Sequence, residues 1–254
     1  MRRSSWLVVL IGALLGGCQR KEAVSPSTDE LRIAAAASLK ELLATADPLF
    51  EAQHPGVTIV ASFGASSLLS RQVEAAAAFD VFLSADASNV DRLGDQIVAA
   101  TRSEFLGNEL VVVARDGLVP LPTDAASLAK SPGKLALAGE AVPAGKYARA
   151  WLAKTGQLET LRPKIVNGDD VRATLALVES GVADAAVVYV TDARVAKSAR
   201  VAFTVPASED PGVVYVAAVV ASAKSPLAAE YVRWLRSGDF QQTAAKLGFK
   251  TGAP

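Results

Sequence analysis

The sequence predicts an α/β fold built on mainly parallel sheet. Three observations carry this. From Leu31 onward, short apolar runs rich in Val, Ile and Ala alternate with stretches whose apolar residues recur at helical spacing, the pattern of parallel strands flanked by helices. Several of these runs end in a small or polar residue that opens the next helix, as strand-to-helix turns in such folds do. The chain of 254 residues is 51% hydrophobic and 20% charged, so it can bury a sizeable core in one large domain or two medium ones.

The first strand spans 31–36. It runs through Ala37-Ser38 into a helix over 39–51, which places Leu39, Leu42, Leu43, Ala46 and Phe50 on one face. Ser38 and Glu41 have the spacing of a capping box. The plain reading of Ser38 is a helix cap, although a helix start also leaves backbone N–H groups free to meet an anion. His54-Pro55-Gly56 is a turn, followed by a strand over 57–63. Gly64-Ala65-Ser66-Ser67 then opens a helix marked by Leu68, Leu69, Gln72, Val73 and Ala76. A strand over 79–83 leads through Ser84-Ala85-Asp86 to a short helix over 90–93.

Strands follow over 109–115 and 134–138. Val142-Pro143-Ala144-Gly145 opens a helix over 144–155 that contains Tyr147 and Trp151. A short strand over 164–166 precedes a helix capped by Asp169 or Asp170, running through Val171, Leu175 and Val178 to a stop at Gly181. Strands over 185–190, ending near Tyr189, over 201–205 and over 213–221 come next, and helices over 226–236 and 240–247 close the chain. No stretch in the middle is composed like a long linker. Two domains would have to be joined by strands or short loops, and 109–115 and 213–221 bracket the middle third.

The first 18 residues read as a secretion leader. Arg2 and Arg3 precede an apolar run, 6–15, too short to span a bilayer. Leu15-Gly16-Gly17-Cys18 matches the bacterial lipobox, and Cys18 is the only cysteine. A lipid attached to Cys18 would anchor an extracytoplasmic domain, with 19–30 as a flexible tether.

Composition excludes much chemistry. Lys+Arg and Asp+Glu are 26 each, so the basic face a nucleic-acid partner needs is not expected. With one cysteine and one histidine, neither an internal disulfide nor a Cys/His zinc site can form. A Ser-His-Asp triad would have to use His54, which reads as a solvated turn residue. Gly64-Ala65-Ser66-Ser67-Leu68 lacks the closing glycine of a nucleophile elbow. Asp80, Asp86 and Asp91 have no defensible metal-loop spacing and read as strand-end or capping residues.

Four strand ends share one local design: Ala37-Ser38, Gly64-Ala65-Ser66, Pro143-Ala144 and Asp170-Val171. Two sheet edges facing each other would aim these helix starts into one cleft. The nearest cations, Lys40, Arg71, Lys146 and Arg172, lie inside their helices and read as solvated. Neutral donors suit a small, fully ionised oxyanion and penalise a ligand that brings its own O–H. Asp169 and Asp170 are expected to turn back onto their own helix start.

Several blocks in order, from Leu31 to Phe249, resemble the periplasmic molybdate-binding proteins of ABC transporters. They are Ala34-Ala35-Ala36-Ala37-Ser38-Leu39, Ser62-Phe63-Gly64-Ala65-Ser66, Arg71-Gln72, Asp80-Val81-Phe82-Leu83-Ser84-Ala85-Asp86, Leu106-Gly107-Asn108-Glu109-Leu110-Val111-Val112-Val113, Val142-Pro143-Ala144-Gly145-Lys146-Tyr147-Ala148, Asp170-Val171-Arg172 and Val187-Val188-Tyr189. The resemblance implies a two-lobed periplasmic-binding-protein-like fold, with one lobe from 31–112 plus 214–254 and the other from 113–213. It implies that Ser38 and Ser66 donate to molybdate or tungstate through hydroxyl and N–H, Ala144 and Val171 through N–H, and Tyr189 through its phenol. Molybdenum would enter only as the oxyanion, without a direct protein–metal bond. It further implies a monomer without cofactor or enzymatic activity that delivers its ligand to a permease in the inner membrane. A binder of sulfate or phosphate, a serine hydrolase using Ser66, and a sensory module of the same fold are the rival readings.

Overall fold

In β1, Asp29–Ala36, alternate residues face two different cores. Leu31, Ile33 and Ala35 join Leu39, Leu42, Leu43 and Phe50 on one side, while Ala34 joins Leu69, Val73, Phe82 and Val90 on the other. A strand buried on both faces in this way must lie inside a sheet covered by helices on both sides. The computed structural model describes residues 29–131 and 133–252. The leader, Cys18 and residues 19–28 of the expected tether lie outside the described residues, whereas Asp29 and Glu30 already pair with Val57 and Thr58 in the sheet.

The first lobe contains α1 (Lys40–Gln53), β2 (Val57–Gly64), α2 (Ser66–Glu74), β3 (Val81–Ser84), α3 (Ser88–Asp91) and β4 (Ser103–Asn108). The second contains β5 (Leu110–Arg115), α4 (Ala125–Lys130), β6 (Leu135–Ala138), α5 (Pro143–Lys154), α6 (Leu158–Leu161), β7 (Ile165–Gly168), α7 (Val171–Glu179), β8 (Ala185–Tyr189), α8 (Val190–Ala193) and β9 (Ala199–Thr204). The chain then returns to the first sheet through β10 (Val213–Val219) and ends in α9 (Ala228–Trp234) and α10 (Gly238–Leu247).

Both sheets have five strands, in the orders β2-β1-β3-β10-β4 and β7-β6-β8-β5-β9. In each, four strands share one direction, and the strand that enters from the other lobe runs antiparallel to its two neighbours. The sheets are therefore mixed. β5 and β10 each begin at the end where the lobes meet and run away from it, so they oppose neighbours that run toward it. The change of sheet falls at Glu109, between β4 and β5. Leu110, Val111 and Val112, placed in the first lobe by sequence, pair with Tyr189, Val188 and Val187 of the second.

The sequence pattern passes over β4, α4 and the one-turn helices α6 and α8. β4 mixes Gly107 and polar residues at the edge of its sheet, which hides strand periodicity. α4 carries a readable signal in Asp124 and Ser127, which cap each other reciprocally.

α1 and α9 meet over an aromatic cluster, with Phe50 edge-on to Tyr231 and Trp234. Within it Asp47 accepts a 2.7 Å hydrogen bond from the Tyr231 hydroxyl. Burial pushes this carboxyl up to about 7, against the Tyr231 bond, which lowers it, and with a smaller push from Glu51. Folding therefore favours protonated Asp47, and its contribution is present below the unfolded value near 3.8 and lost as pH rises to about 7. Asp47→Asn should flatten that slope and raise stability above pH 7, by on the order of a few kcal/mol, while changing little near pH 4. Urea melts of both proteins at pH 4 and pH 8 check this, and an equal change at both pH values would contradict it.

Candidate functional site

The strand ends converge as their local design suggests. Ser38, Ser66, Ala144, Val171 and Tyr189 all line one cavity between the lobes. Its cavity volume, about 10 Å³, is far below that of pockets for drug-sized ligands. None of the five is more than 4% exposed. A charge seated among them loses its water and must be compensated by hydrogen bonds.

Each helix start supplies donors for its own reason. Pro143 occupies the first position of α5 and has no N–H, so Ala144 offers the first one. At α7, Asp170 accepts from the N–H groups of Arg172 at 2.8 Å and Ala173 at 2.9 Å. That cap satisfies two donors and leaves the N–H of Val171, the first helical residue, without an intrahelical acceptor. Among the described residues Asp170 is the one carboxylate lining the cavity, and the cap turns it onto its own helix start as expected. α2 likewise begins at Ser66, after an extended Ala65.

Two glycines let these helices press against the strand ends. A Cβ on Gly145 would lie 2.2 Å from the Gly139 carbonyl oxygen, and one on Gly168 would lie 2.6 Å from the Thr174 backbone nitrogen. Gly64 is not such a position, since a Cβ there would meet the Leu69 side chain at 3.9 Å, an ordinary contact.

The hydroxyl groups are arranged as donors. Ser66 Oγ accepts from the Ala85 N–H at 3.0 Å, which leaves its own proton free. Ser38 Oγ lies 2.8 Å from the Tyr215 hydroxyl. Tyr189 lines the cavity, and its buried hydroxyl has no hydrogen-bond partner among the described residues. Burial, with smaller pushes from Tyr215 and Tyr147, holds its phenol well above the ordinary value, so the proton stays in place.

Four expectations need correction. Ser38 and Glu41 do not form a capping box. Ser38 sits in a 3-10 turn, Ala37–Leu39, without a side-chain cap bond, and Glu41 pairs with Arg172 across the cleft. A charge-assisted bidentate pair outcompetes a neutral cap. Arg172 is not solvated either, because it bridges Glu41 of the first lobe and fully buried Asp192 of the second, at 2.5 Å. Burial pushes the Asp192 carboxyl up to about 6, although Arg172 and the Tyr189 N–H pull it down. On the other flank of the cavity Lys146 reaches over from α5 to Asp86 at 3.0 Å and Ser88 at 2.8 Å. Burial works to raise Asp86, but the Asn89 N–H and Lys146 hold it below its usual value.

His54 is the fourth. It stacks on Phe50 at 4.0 Å and contacts the Phe50 carbonyl and Glu230. It lies at the far end of α1, about 20 Å from the cavity by helix length. Asp80 and Asp86 accept backbone N–H groups, as strand-end and capping residues do, and Asp91 pairs with Arg102. Among the described residues no group of three or more His, Cys, Asp or Glu could hold a metal ion, and no helix is long and apolar enough to cross a membrane.

A family model described as bacterial extracellular solute-binding protein matches residues 31–250. The molybdate-binding protein ModA of Escherichia coli is 36% identical over 253 residues, covering 96% of this chain and 97% of that protein. The chain belongs to the ModA family of bacterial extracellular solute-binding proteins. Solute-binding proteins of this family are not enzymes, so the hydrolase reading of Ser66 falls. The periplasmic molybdate-binding protein of Azotobacter vinelandii shares the fold, with a TM-score of 0.77 at 22% identity over 88% of this chain and 100% of that one. The sulfate-binding protein SubI of Mycobacterium tuberculosis shares it too, with a TM-score of 0.77 at 20% identity over 89% of this chain and 88% of that one. The solute-binding protein thus has the two-lobed fold predicted from its sequence. Sequence reasoning missed Asn108, Thr191, Asp192 and Tyr215 behind the cavity. Their signal was faint: single polar groups within apolar strands or beside them.

Proposed function

We propose that this solute-binding protein captures molybdate, and also tungstate, in the cleft between its lobes and delivers it to an ABC permease. The convergence of Ser38, Ser66, Ala144, Val171 and Tyr189 on one buried cavity, with the Tyr189 hydroxyl unpartnered, carries this reading. The hydroxyl groups of Ser38, Ser66 and Tyr189 and the N–H groups of Ser38, Ser66, Ala144 and Val171 donate to the four oxygens. Among the described residues no lysine or arginine lines the cavity, so local dipoles supply the positive potential. The lobes, 31–108 with 213–252 and 110–204, close on the ion about the two crossings. The ion pairs from Arg172 and Lys146 hold the closed form. The protein acts as a monomer tethered through lipid on Cys18, a reading supported by the Leu15-Gly16-Gly17-Cys18 motif. The ModA relatives favour molybdate over sulfate as the ligand, while the fold shared with a sulfate-binding protein makes sulfate the second reading.

Thermal melts with molybdate, tungstate, sulfate and phosphate separate the two. A ligand at a hundred times its dissociation constant adds about 2.7 kcal/mol, or roughly 5–10 °C for a chain of this size. Molybdate and tungstate should each produce that shift. A shift with sulfate and none with molybdate would overturn the assignment.

A further inference from the structure

We infer that Asn108 and Tyr215 are positioning residues that fix the direction of the Ser38 proton, making Ser38 an obligate donor to the bound ion. The inference rests on the oxyanion reading above and assigns residues to its selectivity.

The direction follows from counting protons along one buried chain. Asn108 Oδ1 accepts the Glu109 N–H at 2.9 Å, which settles which end of the amide is oxygen. Its Nδ2 therefore donates, to Thr191 Oγ1 at 2.9 Å and to the Tyr215 hydroxyl oxygen at 3.2 Å. Among the described residues Ser38 Oγ, 2.8 Å away, is the acceptor within reach of the Tyr215 proton, so with that oxygen already accepting from Asn108 we assign Tyr215 as the donor to Ser38. Ser38 Oγ accepts, and its own proton is left for the cavity it lines. Ser38, Asn108, Thr191 and Tyr215 are all buried, so bulk water offers no competing partner. Burial, reinforced by Asp192, pushes the Tyr215 phenol far above its ordinary value and keeps its proton in place.

Ser66 is fixed the same way by the Ala85 N–H. The difference lies in where the Ser38 chain sits. Asn108 ends β4 at one crossing, Tyr215 lies in β10 just beyond the other, and Thr191 belongs to the second lobe. The direction of the Ser38 proton thus depends on groups from both lobes and both crossings. A ligand oxygen bearing hydrogen would meet the Ser38 proton head-on; the second lone pair of Ser38 Oγ could accept it only if the Ser38 proton turned away from the ion, where no acceptor among the described residues receives it.

The test is a double-mutant cycle between Tyr215→Phe and Ser38→Ala, read as dissociation constants for molybdate and phosphate. The pH series spans the loss of the second phosphate proton. Tyr215→Phe keeps the ring that packs on Phe249 and Tyr189 and frees Ser38 to rotate. It should weaken molybdate binding about tenfold and leave hydrogen phosphate binding unchanged or tighter, so that the molybdate-to-phosphate ratio falls about tenfold. In the Ser38→Ala background the same change should move the ratio less than twofold. Equal weakening of both ligands, or an undiminished effect in the Ser38→Ala background, would overturn the inference. Failure of the molybdate assignment itself would appear separately, as wild-type preference for sulfate. The sulfate-to-phosphate ratio then tests the same cycle.

Discussion

Arg172→Ala is expected to lower the melting temperature by roughly 6–20 °C at pH 8 and by much less at pH 5. Arg172 is the partner of Asp192, a fully buried carboxylate, and also reaches Glu41 on the opposite lobe. Removing one member of a buried pair strands the other, which costs about 3–5 kcal/mol. The pH dependence follows from Asp192, which burial already raises from 3.8 to about 6. For a raised carboxyl, the folded state holds the proton more tightly, so stability is lost as pH rises through the folded value. Without Arg172 that value climbs further, and the deficit grows between pH 5 and pH 8. Arg172→Ala combined with Asp192→Asn should recover much of the stability. It should not recover ligand affinity, because the link to Glu41 is gone. Melts of the three proteins at both pH values test this, and a deficit independent of pH would show that Asp192 is not its source.

Val171→Pro is expected to weaken molybdate binding roughly 10- to 100-fold while the empty protein still folds. Proline is tolerated at the first position of a helix, and Asp170 before it is already extended, as a residue preceding proline must be. The Asp170 cap to Arg172 and Ala173 does not involve the Val171 nitrogen. The substitution therefore deletes one backbone donor and sets a ring carbon in its place, facing the ion. Calorimetric titration with molybdate, beside a melt of the empty variant, measures both effects. Unchanged affinity would mean that the Val171 N–H does not touch the ligand.

Much of the fold and cavity was legible in sequence because the responsible signals are local. A strand that ends in Ala37-Ser38, Gly64-Ala65-Ser66, Pro143-Ala144 or Asp170-Val171 announces a helix start, and parallel strands put such starts on one edge. The capping role of Asp170 could be read from the same few residues. What escaped depends on partners distant in sequence. Glu41 has the spacing of a cap, and only the folded chain brings Arg172 across to claim it. Lys146 looks solvated until Asp86 and Ser88 of the other lobe stand beside it. Tyr215 and Asn108 sit 107 positions apart, and nothing local says that they share a hydrogen bond behind Ser38. The crossing at Glu109 was misplaced by a few residues because β5 is apolar from Leu110 to Ala114 and carries no mark there of which sheet it joins.

The most direct test of oxyanion capture is a crystal structure of the protein grown with molybdate, with anomalous diffraction locating the molybdenum. One molybdenum peak is expected in the cavity between the lobes, its oxygens within hydrogen-bond distance of Ser38, Ser66, Ala144, Val171 and Tyr189. A cavity without molybdenum at saturating molybdate, or a peak held elsewhere on the surface, would contradict it.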